Sequence, residues 1–264
     1  MRPRALNVAL CTAVLAAASP AAAVDIRQCA MVAEGRAEIV NFEAERADGS
    51  RVRLDGLLST PDGAGPFPVV VMQPGSAGLV VPYCYGAVVA QLTDWGLATL
   101  VVAPTTARDG SGAPMPQYSF ADLARYGHGA AAALSALPQI DPARIGLWGH
   151  SRGGHAVLEA VTRGDGPPGM FRAAVAVAPE CLAKGLPSIP LLLVIGTADR
   201  VVSVDWCKDY AASVSDAAGF EFLLLADAGH AYWAPAAPDY DEAAAMLAAA
   251  RLMAFLRQHA LLPR

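Results

Sequence analysis

Ser151 stands between two glycines, in Gly149-His150-Ser151-Arg152-Gly153, at the end of the apolar run 144–148. A G-x-S-x-G entered from a strand and left by a helix is the pattern of a nucleophile elbow, a turn so sharp that only small residues fit two positions either side of a strained serine. A hydroxyl is a weak nucleophile near neutral pH. Ser151 therefore needs a base, and the base needs a carboxylate to hold its tautomer. In the fold that carries such an elbow the chain order is serine, acid, histidine, each just past the C-terminal end of a strand.

Three histidines follow Ser151. His155 lies four residues into the departing helix and is carried away from the turn. His259 falls in the last turn of the final helix, where a solvated face is expected. His230, in "FLLLADAGHAYW", follows a strand directly and is the expected base. For the acid, Asp199 in "VIGTADRVV" comes just past the run 190–195, with Glu180 in "VAPE" as its rival because it ends the preceding run. Asp227 shares the loop of His230, which makes mutual orientation difficult. A tetrahedral oxyanion needs donors as well, and backbone amides commonly supply them. The Arg152 amide is the first expected donor. The second is the Ser76 amide, in "QPGSAG", with Gly75 as flanking support.

These groups must be held by a sheet, and the sequence supplies one. "PVVVM", "ATLVVA", "RIGLW", "AAVAVA", "PLLLVI" and "FEFLLL" are short, nearly continuous apolar runs, as strands buried on both faces must be. Segments of helical character near 84–95, 119–137, 152–163, 203–217 and 239–259 alternate with them, which predicts a mainly parallel α/β sheet with helices on both faces. Upstream, "EIVNFEAERADGSRVRLDGLLSTPDG" alternates apolar and polar residues about Asp48-Gly49 and predicts an antiparallel hairpin at one edge. The polar stretch 104–119, rich in Gly, Pro and Ser, reads as a mobile wall over the C-terminal edge, where α/β proteins bind ligands. Among the aromatic residues near expected loop ends, Tyr83 and Trp233 are candidates to line a substrate, and the side chain of Arg152 is expected in solvent.

With 264 residues, 55% of them hydrophobic, the chain can bury one large core, and its net charge of −5 argues against a nucleic-acid partner. Residues 1–23 place two arginines before a short apolar stretch ending in Ala21–Ala23, the pattern of a cleaved secretory signal peptide. The uninterrupted apolar stretch is shorter than the roughly 20 residues a spanning helix needs. One α/β domain over 24–264, periplasmic or secreted and without a stable membrane anchor, is the expectation. Removing Cys11 with the leader leaves Cys29, Cys84, Cys181 and Cys207, an even number that suggests disulfides in an exported chain. Of the three complete pairings, Cys181 with Cys207 is favoured because each should fall just beyond the end of a neighbouring strand, which leaves Cys29 with Cys84.

Together, "GHSRGG", "GTADRVV", "AGH" and "PGSAGL" make the chain resemble the dienelactone hydrolase-like branch of the α/β-hydrolase superfamily, from about residue 45 to the C-terminus. The resemblance implies the α/β-hydrolase fold and assigns Ser151, Asp199 and His230 as nucleophile, acid and base. Two departures limit it. Members that open dienelactones use a cysteine nucleophile, so that substrate is not carried over to a serine; and Pro74-Gly75 stands where related hydrolases often have His-Gly. The expected activity is cleavage of an ester or related acyl bond, in a small-molecule or polymeric substrate, through an acyl-enzyme. No His/Cys cluster has metal-ligand spacing, and no metal or organic cofactor is called for. A peptidase or acyltransferase on the same residues, or a non-catalytic binding module, are the alternatives.

Overall fold

The computed structural model describes residues 25–80, 84–164 and 166–263. The leader reading of residues 1–23, and Tyr83, lie outside them.

A short turn at Ile26–Gln28 and helix α1 (Ala30–Ala33) precede strands β1 (Glu38–Glu45) and β2 (Arg51–Ser59), which pair antiparallel across the Asp48-Gly49 turn. The chain then runs through β3 (Phe67–Gln73), α2 (Gly86–Asp94), β4 (Ala98–Arg108), α3 (Phe120–Ser135), β5 (Ile140–His150), α4 (Arg152–Thr162), β6 (Ala173–Val177), β7 (Leu191–Gly196), α5 (Val204–Ser213), β8 (Phe220–Leu225) and α6 (Glu242–Gln258). The strands form one sheet in the order β1-β2-β4-β3-β5-β6-β7-β8, antiparallel at β1, β2 and β4 and parallel from β4 through β8.

Side chains alternate along each central strand, so each run feeds two cores. Val69, Val71, Leu191, Leu193 and Ile195 pack beneath α3, α4 and α5. Val70, Met72, Trp148, Leu192 and Val194 pack beneath α1, α2 and α6 on the opposite face. Burying such a side chain contributes roughly 1.5–3 kcal/mol, which is why these strands carry almost no polar residues. Helix starts are set locally. Ser119 and Asp122 form a capping box at α3, and Ser203 and Asp241 accept amide hydrogen bonds at the starts of α5 and α6.

The stretch 104–119 differs from its reading as a mobile wall. β4 continues through Arg108, where Arg53 of β2 pairs with it beyond a bulge. The Asp109 side chain then accepts the amides of Ser111 and Ala113 to turn the chain, and Met115 donates back to the Ala107 carbonyl at 2.7 Å. Polar composition concealed a strand whose residues are nonetheless covered: Thr106 and Ala107 are buried.

Both expected disulfides form, Cys29–Cys84 with Cα atoms 5.7 Å apart and Cys181–Cys207 at 5.0 Å. Cys207 lies inside α5, not past a strand, and its sulfur sits 3.3 Å from the Pro179 carbonyl because that helix runs alongside the loop after β6. No helix among the described residues is long and apolar enough to cross a membrane.

Candidate active site

β3 and β5 are neighbours, yet the chain leaves β3 for β4 on one side and then crosses back to β5 on the other. A parallel sheet opens a crevice at such a switch, outside the carboxyl ends of its strands. The register aligns those ends: Gln73 pairs with Gly149, His150 with Val177, Val177 with Val194, and Gly196 with Leu225. The loops carrying Gly75, Ser151, Glu180, Asp199 and His230 therefore leave the sheet at one rim.

Ser151 follows the last residue of β5 with φ 56° and ψ −120°, outside the ordinary range of a residue with a side chain, and α4 starts at the next position. Its amide donates to the Val177 carbonyl at 2.8 Å, tying the elbow to β6. The two glycines are required: a Cβ on Gly149 would be driven into the Gly153 carbonyl, and one on Gly153 into the Gln73 carbonyl. Ser151 is buried, with 7% of its surface exposed, which leaves the hydroxyl in a shielded setting at the mouth of the sheet.

Asp199 and His230 meet across the β7 and β8 loops. His230 Nδ1 lies 2.7 Å from Asp199 Oδ2, and the aspartate side chain is fully buried. A carboxylate only accepts, so Nδ1 carries a proton and donates it to Asp199. Asp199 Oδ1 accepts the amides of Val201 and Val202 at 2.8 and 3.1 Å. Burial works against its charge, but the His230 bond and these two amides outweigh it and hold the carboxyl below its ordinary range. Glu180, the rival acid, has Oε2 buried without a partner among the described residues. Burial raises its carboxyl, only partly offset by the charges of Arg152 and His230.

His150, adjacent to Ser151, is not marked in the sequence, because it precedes the serine and lies within the elbow motif itself. Its Nε2 sits 3.2 Å from the His230 carbonyl, so that nitrogen donates, and its ring packs against the His230 ring at 4.8 Å and the Trp233 ring at 5.0 Å. Burial, with the neighbouring His230, pushes its pKa down to about 4. A neutral imidazole thus bridges the elbow to the histidine loop.

On the opposite side, Gly75 faces the elbow closely. A Cβ there would lie 3.3 Å from Ser151 Cβ and from His150 Nδ1. Ser76 follows in an exposed turn closed by the Gly78 amide on the Gly75 carbonyl, 2.9 Å. The side chain of Arg152 is not in solvent. Its guanidinium stacks over Tyr118 at 4.6 Å and Phe120 at 5.2 Å and donates to the Tyr118 carbonyl, because the residues before α3 fold over α4. Trp233 stacks on Tyr85 at 5.2 Å and lines a cleft of about 240 Å³ between α2 and α6. A second cleft, about 430 Å³, opens beside His230 between Arg200, Val201, Asp227 and Tyr240. His155 and His259 stay out of the site. His155 faces Glu159 within α4, whereas His259 is half-buried against Phe255 rather than on a solvated face.

The sheet order, the strained serine turn and the buried Asp–His pair define an α/β-hydrolase. The dienelactone hydrolase family model matches residues 115–260, more than half of the chain, and the chain belongs to that family of hydrolases. Solved structures share the fold. Thermogutta terrifontis esterase 2, phosphoramylated by tabun, superposes with a TM-score of 0.66 at 16% identity, covering 87% of this chain and 97% of that one. The α/β-hydrolase GrgF of Penicillium sp. sh18 gives 0.64 at 17% identity, over 84% and 99%. An esterase of Pyrococcus furiosus gives 0.63 at 16%, over 84% and 93%. No curated relative matches the chain by sequence.

Proposed function

We propose that the protein is an exported serine esterase acting on an ester or related acyl bond. The observation that carries this reading is the 2.7 Å contact between His230 Nδ1 and the buried Asp199 carboxylate, on a rim shared with a serine at φ 56°. In this scheme the Ser151 hydroxyl passes its proton to His230 Nε2 as its oxygen bonds to the substrate carbonyl carbon. The amides of Arg152 and Ser76 donate to the oxygen that becomes an anion. The tetrahedral centre collapses, the bond to the leaving oxygen breaks, and that oxygen takes the proton from His230. Water then repeats the sequence on the acyl-enzyme, with His230 as base, and releases the acid.

Membership of the dienelactone hydrolase family, and a fold shared with an esterase that tabun phosphoramylates, support acyl-group chemistry. Two disulfides support passage to an oxidising compartment. The test is turnover of a short-chain p-nitrophenyl ester. Ser151→Ala should lower kcat by about 10⁴-fold or more, and a fluorophosphonate probe should label wild type but not the variant. Equal rates, or labelling elsewhere, would remove Ser151 from the mechanism.

A further inference from the structure

Tyr85 occupies the residue before α2, a position that usually caps the helix with a short polar side chain. It caps nothing. Its hydroxyl instead reaches back ten residues and accepts the Gly75 amide at 2.8 Å. To do so the backbone takes two left-handed residues in succession, Cys84 at φ 43° and Tyr85 at φ 64°, neither of them glycine. Such outliers persist only where the surroundings over-determine them, and they gather at functional sites.

The surroundings here are long-range. Cys84 is bridged to Cys29, both fully buried, which anchors this corner to the segment before α1. The Tyr85 ring stacks on Trp233 at 5.2 Å with 14° between planes and meets the edge of Trp148 at 5.8 Å. Trp233 in turn touches His150, and His150 touches His230. One row of rings thus joins the β3 loop to the histidine loop.

The bond falls at a telling place. A Cβ added to Gly75 would lie 3.3 Å from Ser151 Cβ, and the Gly75 amide is consumed by Tyr85 while its carbonyl is consumed by Gly78. With both ends of Gly75 tied, the next peptide, which carries the Ser76 amide, has its orientation set relative to the nucleophile. Ser76 is the first interior residue of that turn, a place where the turn's own hydrogen bond does not claim the amide. Burial raises the phenol well above its ordinary range, so the hydroxyl stays neutral at working pH.

We infer that Tyr85 is a positioning residue for the oxyanion donor on the β3 loop, held in its left-handed conformation by the Cys29–Cys84 disulfide; this rests on the serine-esterase reading above. The substitution Tyr85→Phe keeps the stacked ring and removes only the hydroxyl. In the oxidised full-length protein it should lower kcat about 10- to 100-fold with KM within about twofold, because only the charge developed in the transition state loses its donor geometry. Affinity for an alkylboronic acid, which forms a tetrahedral adduct, should fall in the same proportion, and the unfolding midpoint should stay within a few degrees. A Cys29→Ser/Cys84→Ser double variant should move kcat in the same direction by several-fold.

Wild-type kcat and boronate affinity in Tyr85→Phe would overturn the inference, as would a loss in which kcat, KM and thermal midpoint shift together. Full activity in the cysteine double variant would overturn the part assigned to the disulfide. Fluorophosphonate labelling separates the two levels. Failure to label Ser151 in wild type would sink the serine-esterase reading and this inference with it, whereas a labelled wild type matched by an unimpaired Tyr85→Phe would sink this inference alone.

Discussion

The two sides of the rim are built by different physics. Around Ser151, Asp199 and His230 the geometry comes from strand ends in register, from the elbow amide on Val177 of the neighbouring strand, and from the Asp199 carboxylate on two amides of its own turn. Across the crevice, the loop of Gly75 and Ser76 is closed locally by the Gly78 amide on the Gly75 carbonyl. It is positioned by a tyrosine hydroxyl from the start of α2, a disulfide to the N-terminal segment and an aromatic row that crosses the sheet edge. Charge is aimed by short, specific contacts on the first side, and backbone is aimed by cross-links on the second. If the proposed roles hold, the proton relay is set by position on the sheet, while the proposed oxyanion donor depends on the groups that brace its loop.

The sharpest way to break this contrast is Asp199→Asn. It should lower kcat by about 10³- to 10⁴-fold, since an amide no longer enforces the His230 tautomer. The same change bears on pH. Because the Asp199 carboxyl is held below its ordinary range, its stabilising contribution is present above the unfolded value of about 3.9 and is lost as pH falls through the folded one. Urea unfolding at pH 7 and pH 3 should therefore show the stability gap between wild type and Asp199→Asn shrinking in acid; a gap that grows would contradict the assignment.

Gly75→Ala probes the other side. The added methyl lies 3.3 Å from Ser151 Cβ, so the loop must give by a fraction of an ångström, and kcat should fall about tenfold through misplacement of the donor. An unchanged kcat would mean that the loop is not set tightly against the elbow.

Smaller effects should appear in stability. Removing the Cys181–Cys207 bridge by a double serine substitution should cost ~2–4 kcal/mol in denaturant titration, because the unfolded chain regains the freedom of the closed loop. For His150, whose folded pKa is about 4 against an ordinary value near 6.5, the unfolded state binds the extra proton. Stability should be intact above about pH 6.5 and lost as pH falls toward 4, by on the order of 1–2 kcal/mol between pH 7 and 5, and His150→Asn should flatten that slope. Last, Glu180→Gln should change kcat by less than about threefold, since the imidazole nitrogen is bonded to Asp199. A loss as large as that of Asp199→Asn would reverse the choice of acid.

Much of the architecture was readable before any coordinates. Runs such as "PLLLVI" and "FEFLLL" announce strands because a strand covered on both faces has no place for a polar side chain. The elbow was readable because its two glycines answer a steric demand that residues two positions apart impose on each other. That Asp199 and His230 each sit just beyond a strand is legible in the sequence, and the structure brings the two side chains into contact. Arg152 was misjudged, since stacking on Tyr118 and Phe120 depends on how the residues before α3 cross α4, and no spacing near residue 152 reports that. Within the stretch 104–119, residues 104–108 are strand rather than loop, because polarity reads as loop when the covering partner lies some fifty residues upstream in β2.

What the chain determines on its own is the identity and order of the chemical groups and the strands that carry them, because these rest on periodicity and on neighbours within a few residues. The role of His150 as a neutral bridge, the reach of Tyr85 to the Gly75 amide and the preference of His230 for Asp199 over Glu180 were decided only by tertiary structure. Each depends on the direction in which a side chain points across 10 to 80 residues of sequence, and that direction is set by packing, which local pattern does not encode.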